Sequence, residues 1–314
     1  MRKLNLKIKE ENDSGFSAVA SGRFTNKDGR YNVKKKGINI FDKYSWYHTF
    51  LLLPRFKFIG VLVIAYIIAN LVFASIYYAI GIEHLTGIDK SSPIQEFIDV
   101  FFFSAQTFTT VGYGRIAPVG ALASFVATFE AFLGLLGFAI ATGLFYGRFS
   151  RPRAFLKFSD IAVMAPFEDG KALMFRVAPF KNNLLSEAEV TISAALEEEI
   201  NGKLESKFYL LEPKLKKINT FSLNWTIVHK IDSNSPFYEY TEEDFKNSDI
   251  ELIIMIKAFD EVFANTVVQR TSYISPEIIY GAKFLPMYHS SEDQKTTILD
   301  LDKINFHQKV SIDN

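Results

Sequence analysis

Between Ile59 and Ile82 the chain carries no charged side chain. The run IGVLVIAYIIANLVFASIYYAIGI, coiled as a helix rising about 1.5 Å per residue, is long enough to cross a hydrocarbon layer of ~30 Å. It is apolar on every face, which lipid or partner helices demand and water does not tolerate, so it is read as a membrane span. A second run, Ile116 to Gly147, holds Glu130 as its one charged residue, and its stretch AFLGLLGFAIATGLFYG is read as a second span. The rest must be soluble, because hydrophobic residues reach 48% with 31 Phe while the mean hydropathy is only +0.09. Its 35 basic and 35 acidic residues cancel, so net charge suggests no nucleic-acid partner. The absence of cysteine excludes disulfides, thiolate metal sites and thiol nucleophiles.

The first 58 residues, beginning MRKLNLKIKEENDSG, are polar and charged, which argues against a signal peptide. Lys43, Arg55 and Lys57 precede the first span, and Arg148, Arg151, Arg153 and Lys157 follow the second. The connection between the spans has Lys90 and Arg115 as its basic residues. Positive charge stays inside, so the expected topology is a multi-pass protein of the cell's inner (plasma) membrane with both termini cytoplasmic.

The connection is the informative part. Ser92-Pro93-Ile94-Gln95 reads as a helix start, with Ser92 as N-cap, Pro93 where a missing N–H costs nothing, and Gln95 completing a capping box. The helix PIQEFIDVFFFSAQTF is too short to cross a bilayer and must be re-entrant or buried in protein. It runs straight into Thr109-Thr110-Val111-Gly112-Tyr113-Gly114. TTVGYG after a short apolar helix, between two spans, resembles the selectivity filter of a potassium channel. The resemblance implies that backbone carbonyls of Thr110, Val111, Gly112 and Tyr113 replace the hydration of K⁺, the permeant ion, with the Thr110 hydroxyl as lowest ligand. Gly112 and Gly114 supply the left-handed backbone that such a strip needs. Val111 and Tyr113 are expected to pack behind it, and the C-terminal end of the pore helix, near Phe108, to favour a cation below. One chain supplies a quarter of the ring, so a homotetramer is expected.

From about Phe155 the pattern turns to short β-rich runs: DIAVMAPF, ALMFRV, EVTISAAL, KFYLL, NWTIVHKI, ELIIMIKAF and VVQRTSYI, parted by turn signals. That spacing predicts an all-β sandwich. Three segments then resemble inward rectifier potassium channels, closest to the prokaryotic ones. They are Arg148-Phe149-Ser150-Arg151-Pro152-Arg153, then Ser222 to Thr226 with Ile231-Asp232 and Ser235-Pro236, then Arg270 to Tyr273 ahead of Glu277 to Gly281. The fold implied is a two-span helical pore domain with pore helix, joined to an immunoglobulin-like cytoplasmic sandwich. The expected divisions are a cytoplasmic N-terminal segment 1–40, an interfacial slide helix 41–54, a pore domain 55–150 and a sandwich domain 151–314. In the slide helix Trp46, Phe50 and Leu53 are placed on one face, Asp42 as cap and Pro54 as stop.

The resemblance also implies roles. Phe138, Thr142 and Tyr146 recur at i, i+4 and i+8 and can line the pore, Tyr146 as the constriction that stops ions by dewetting. Phe138 stands where strong rectifiers carry an acidic residue, which predicts weak block by polyamines or Mg²⁺ there. Gly134, Gly137 and Gly143 permit either bending or close packing, and the pattern leaves both open. Gln106 replaces an acidic pore-helix residue whose basic partner is also missing from its usual place, so filter rigidity must come from elsewhere. The buried carboxylate Glu130 is read as a structural hydrogen-bonding group behind the filter. Arg55, Lys57, Arg148, Arg151 and Arg153 sit where relatives bind anionic lipid head groups, each worth ~1 kcal/mol near an anionic leaflet. Phe259, Asp260 and Glu261 match a cytoplasmic loop gate that lacks its usual glycine.

No enzyme motif occurs, no cofactor is implied, and the five His are too scattered to hold a metal. Glu197-Glu198-Glu199 reads as a solvated loop, the tail after Ser290 as peripheral, and Thr241-Glu242-Glu243-Asp244 as a brief helix at most. A gated K⁺ channel is the leading reading. The alternative is a membrane-anchored, non-conducting module whose sandwich binds a partner.

Overall fold

A computed structural model describes residues 22–37, 39, 45–200 and 203–312. The chain divides into two compact units, one from Lys36 to Arg151, the other from Pro152 onward together with the segment before Lys36. The N-terminal stretch 22–35 is thus part of the β-unit rather than a segment apart.

Among the described residues the membrane unit holds four α-helices: α1 (Trp46–Leu52), α2 (Arg55–Ile80), α3 (Pro93–Phe108) and α4 (Ala121–Phe149). Among the described residues, α2 and α4 are the two helices long and apolar enough to span a bilayer. Pro54 ends the short helix and starts the long one, because it preserves the N-cap carbonyl and has no N–H to satisfy. The cap of α1 is Ser45, whose hydroxyl accepts from the His48 amide. The expected cap Asp42 lies outside the described residues, and Leu53 has left the helix, so the buried residue of α1 is Leu51. Ser92 caps α3 as expected, accepting from the Gln95 amide at 3.3 Å, but the capping box is not completed. The Gln95 side chain instead donates to Asp99 at 3.3 Å. Phe73, Ala74, Tyr77, Val100 and Phe103 form the buried seam between α2 and α3. Lipid is as apolar as that seam, so it is held by close packing and hydrogen bonds rather than by exclusion of water. Two short strands, β1 (Leu85–Thr86) and β2 (Ala117–Pro118), pair antiparallel.

The second unit is a sandwich. One sheet is built from β6 (Leu185–Ile200), β7 (Lys203–Leu211), β8 (Lys217–Thr220), β10 (Ile250–Asp260) and β11 (Asn265–Ile274), in the order β11-β10-β6-β7 with β8 also on β6. The other has β3 (Leu156–Phe158), β4 (Ala162–Phe167), β5 (Gly170–Pro179), β9 (Trp225–Ile231) and β12 (Ile278–Tyr280) around β5. All seven β-rich runs fall in these strands. Alternation aims Leu173, Phe175, Val190, Ile192, Ile254 and Ile256 into the shared core. The acidic run Glu197–Glu199 is not a loop: β6 continues through it, paired in register with β7. Between β9 and β10, α5 (Glu242–Asn247) carries a full capping box from Thr241 and Asp244. After β12, β13 (Ala282–Phe284) and β16 (His307–Lys309) pair, as do β14 (Tyr288–Ser290) and β15 (Thr297–Leu299). The N-terminal stretch docks on this unit: Arg23 forks onto Glu277 at 3.0 and 3.2 Å, and the amides of Phe24 and Thr25 both donate to Glu251 at 2.7 Å.

Candidate functional site

The pore helix α3 passes into the TVGYG strip through a helix cap. The Thr110 amide donates to the Thr107 carbonyl at 3.0 Å and the Val111 amide to the Gln106 carbonyl at 2.9 Å. These are the two bonds of a Schellman motif, with Thr110 in the left-handed position usually given to glycine (φ 59°). Gly112 (φ 55°) and Gly114 (φ 81°) are left-handed too, so the backbone changes hand at every second residue. Gln106 contributes through its backbone carbonyl, which also accepts from Gly112 at 3.4 Å. The described residues leave much of the strip open: Val111 is 52% and Tyr113 80% exposed, so the packing expected behind these side chains is not made by them.

Between α2, α3 and α4 lies a buried polar cluster, of which Glu130 was the one member expected. Glu130 on α4 is fully buried and accepts from the Tyr77 hydroxyl at 2.7 Å and from Ser104 at 2.5 Å. Asn70 lies 3.1 Å from Ser104 and donates to the Tyr66 carbonyl at 2.7 Å. Three helices are thereby joined, since a carboxylate in hydrocarbon is tolerable only when partnered. Asn70, Tyr77 and Ser104 were missed, although a polar Asn inside a charge-free span was the available signal. Gly134 sits one turn along: a Cβ there would lie 1.9 Å from the Phe108 carbonyl oxygen. Its role in this geometry is close contact between α4 and the end of the pore helix, whereas Gly143 has nothing within 4 Å of an added Cβ. Helix α4 runs unbroken through both.

Phe138 and Tyr146 are each 74% exposed, and Thr142 is exposed between them, so one stripe of α4 faces away from its own subunit. Beside it, Tyr47 and Leu51 of α1 close on Gly147. Arg148 donates to the carbonyls of Phe50 (3.4 Å) and Leu53 (2.5 Å), the C-terminal carbonyls of α1 and its cap. Arg55, Lys57, Arg151 and Arg153 are exposed.

A family model described as "Ion channel" matches residues 57–151, and one described as "Inward rectifier potassium channel C-terminal domain" matches residues 156–314. The chain is 36% identical to the inward rectifier potassium channel Kirbac3.1 of Paramagnetospirillum magnetotacticum, over 91% of this chain and 95% of that protein. The chain belongs to the inward rectifier potassium channel family. It is 26% identical to the inward rectifier potassium channel irk-1 of Caenorhabditis elegans, over 70% of this chain and 44% of that longer protein. A solved structure of Pseudomonas fluorescens alkylpurine DNA glycosylase AlkC on DNA containing an abasic-site analog overlaps at TM-score 0.18 and 9% identity, covering 60% of this chain and 53% of its own. That likeness bears on nothing. Family membership makes the protein a channel of the membrane, not an enzyme, with the helical pore unit and β-sandwich described above.

In this inward rectifier relative the loop joining β10 to β11 is shaped by Asp260. Its buried carboxylate accepts from the amides of Val262 and Phe263 at 3.0 and 3.1 Å. Phe259 and Glu261 are the exposed neighbours, and Ala264 closes the turn with a left-handed backbone (φ 47°).

Proposed function

We propose that four copies of the chain assemble a K⁺-selective pore, closed at the cytoplasmic end of α4 and responsive to anionic lipid. The observation that carries this is the alternation of hand at Thr110, Gly112 and Gly114 directly on a helix cap. A strip so exposed, with Tyr113 80% open, makes sense only when identical strips surround it. K⁺ sheds its water against the carbonyls of Thr110, Val111, Gly112 and Tyr113, and the ring needs one copy from each subunit. Phe138, Thr142 and Tyr146 line the path below, with Tyr146 as constriction. Gly143, free of contacts, is the hinge position; Gly134 serves packing. Phe138 being neutral, block by polyamines or Mg²⁺ at that depth is weak. Arg55, Lys57, Arg151 and Arg153 meet lipid head groups, while Arg148 anchors α1. Phe259 and Glu261 line the cytoplasmic continuation of the pore, with Asp260 shaping their turn. Both termini are cytoplasmic in a multi-pass topology, by the excess of Lys and Arg flanking the spans. The non-conducting module is not favoured, because the family match spans pore and sandwich alike.

The test is uptake of ⁸⁶Rb⁺ into liposomes holding the purified protein. Ba²⁺-sensitive uptake above empty vesicles is expected, and Gly112→Ala should abolish it while leaving the tetramer intact on gel filtration. Normal transport by that variant would refute the filter assignment.

A further inference from the structure

The filter is capped onto the pore helix at its inner end, and a different device holds its outer end. Asp99, in the second turn of α3, is only 3% exposed and has three donors from three parts of the chain. Its Oδ2 accepts from the Asp89 amide at 3.0 Å, and its Oδ1 from the Gln95 side chain at 3.3 Å and the Arg115 guanidinium at 2.8 Å. The guanidinium at 2.8 Å, which can only donate, favours the ionised carboxylate, and a buried carboxylate stripped of one donor is costly. Arg115 is the residue directly after Gly114. Its own carbonyl lies so close to Gly87 that a Cβ there would stand 1.9 Å from it, and the next residues are held by β1 and β2 in the pairs Leu85 with Pro118 and Thr86 with Ala117.

Taking the K⁺-channel reading as its basis, we infer that Asp99 is the positioning residue of the filter's outer end, holding Arg115 so that the strip between Thr110 and Gly114 is fixed at both ends. Neither residue touches the ion. Asp99 also neutralises a cation that each subunit would otherwise present beside the outer mouth, where the Arg115 side chain is 64% exposed. This supplies the rigidity that Gln106, being uncharged, does not.

The experiment compares wild type, Asp99→Asn, Arg115→Gln, Arg115→Lys and the double variant Asp99→Asn with Arg115→Gln, each as tetramers isolated by gel filtration and reconstituted in liposomes. Ba²⁺-sensitive ⁸⁶Rb⁺ uptake and ²²Na⁺ uptake are read in parallel. Wild type is expected to admit Rb⁺ and exclude Na⁺. Asp99→Asn and Arg115→Gln should each lower the Rb⁺ to Na⁺ ratio at least 10-fold, the double variant should be no worse than either single, and Arg115→Lys should keep more of the ratio than Arg115→Gln. A wild-type ratio in assembled Arg115→Gln would overturn the inference. So would higher Rb⁺ uptake at an unchanged ratio, since Arg115 would then be only an electrostatic barrier. Should Asp99→Asn fail to assemble, the exposed Arg115 variants still decide. A wild type that takes up neither ion would overturn the channel reading itself, and this inference with it.

Discussion

Ala264 closes the turn between β10 and β11 with φ 47°, a conformation that costs a residue with a Cβ about 1–2 kcal/mol. Glycine adopts it freely, at the expense of a looser unfolded chain worth about 0.4–1 kcal/mol. Ala264→Gly should therefore stabilise the protein by up to about 1 kcal/mol, seen as a raised melting temperature of the reconstituted or detergent-held channel; a lowered one would contradict the strain. His229 illustrates the opposite kind of constraint. It is buried on β9, its Nδ1 donating to the Glu212 carbonyl and its Nε2 facing the Ser235 hydroxyl, both at 2.8 Å. Burial holds its pKa below the ordinary 6.5. Unfolded chains thus bind a proton that the folded sandwich refuses, so stability is lost as pH falls through 6.5 toward the folded value. Calorimetric melting should show this loss between pH 7 and 5, and His229→Gln should flatten it. The burial of His229 was not legible in the sequence, because a lone His carries no pattern.

At the scale of elements, the contact of α4 with the pore helix rests on one missing side chain. A methyl at Gly134 would stand 1.9 Å from the Phe108 carbonyl oxygen, in backbone that cannot swing aside, whereas a methyl at Gly143 meets nothing within 4 Å. Gly134→Ala should leave little or no tetramer after purification, and Gly143→Ala should assemble normally; equal yields would show that the close approach does not matter to assembly. Spacing marked both glycines without telling them apart, since helical period says which face a residue occupies but not how near the next helix comes. The same limit hid the end of α1. Its amphipathic run and Pro54 were plain, yet Arg148 was read as a topology-setting and lipid-facing charge. Its partners are the carbonyls of Phe50 and Leu53, and unsatisfied carbonyls at a helix end leave no trace in residue identities.

For the whole molecule, the proposed conduction path uses surfaces that one chain leaves open: the strip from Thr110 to Gly114 and the stripe of Phe138, Thr142 and Tyr146. In the proposed tetramer four Tyr146 rings on one axis form the constriction that sheds water, so Tyr146→Ala should raise resting ⁸⁶Rb⁺ flux severalfold at equal protein; unchanged or lower flux would place the barrier elsewhere. The spans, the capped half-helix, the TVGYG strip and the seven main strands could be read from residues alone. Each is set by a local rule: charge-free length, a Ser-Pro start, glycine at alternate positions, period-two alternation. Tertiary structure alone decided which polar groups meet. Ser104 finds Glu130 across 26 residues, and Arg23 finds Glu277 across 254. Gln95 meets Asp99 one turn along the same helix, but Arg115 reaches Asp99 from beyond the TVGYG strip only through the fold. A buried charge states that it needs a partner, but which one it gets is fixed by packing, and packing is written in the distances between elements, not along the chain.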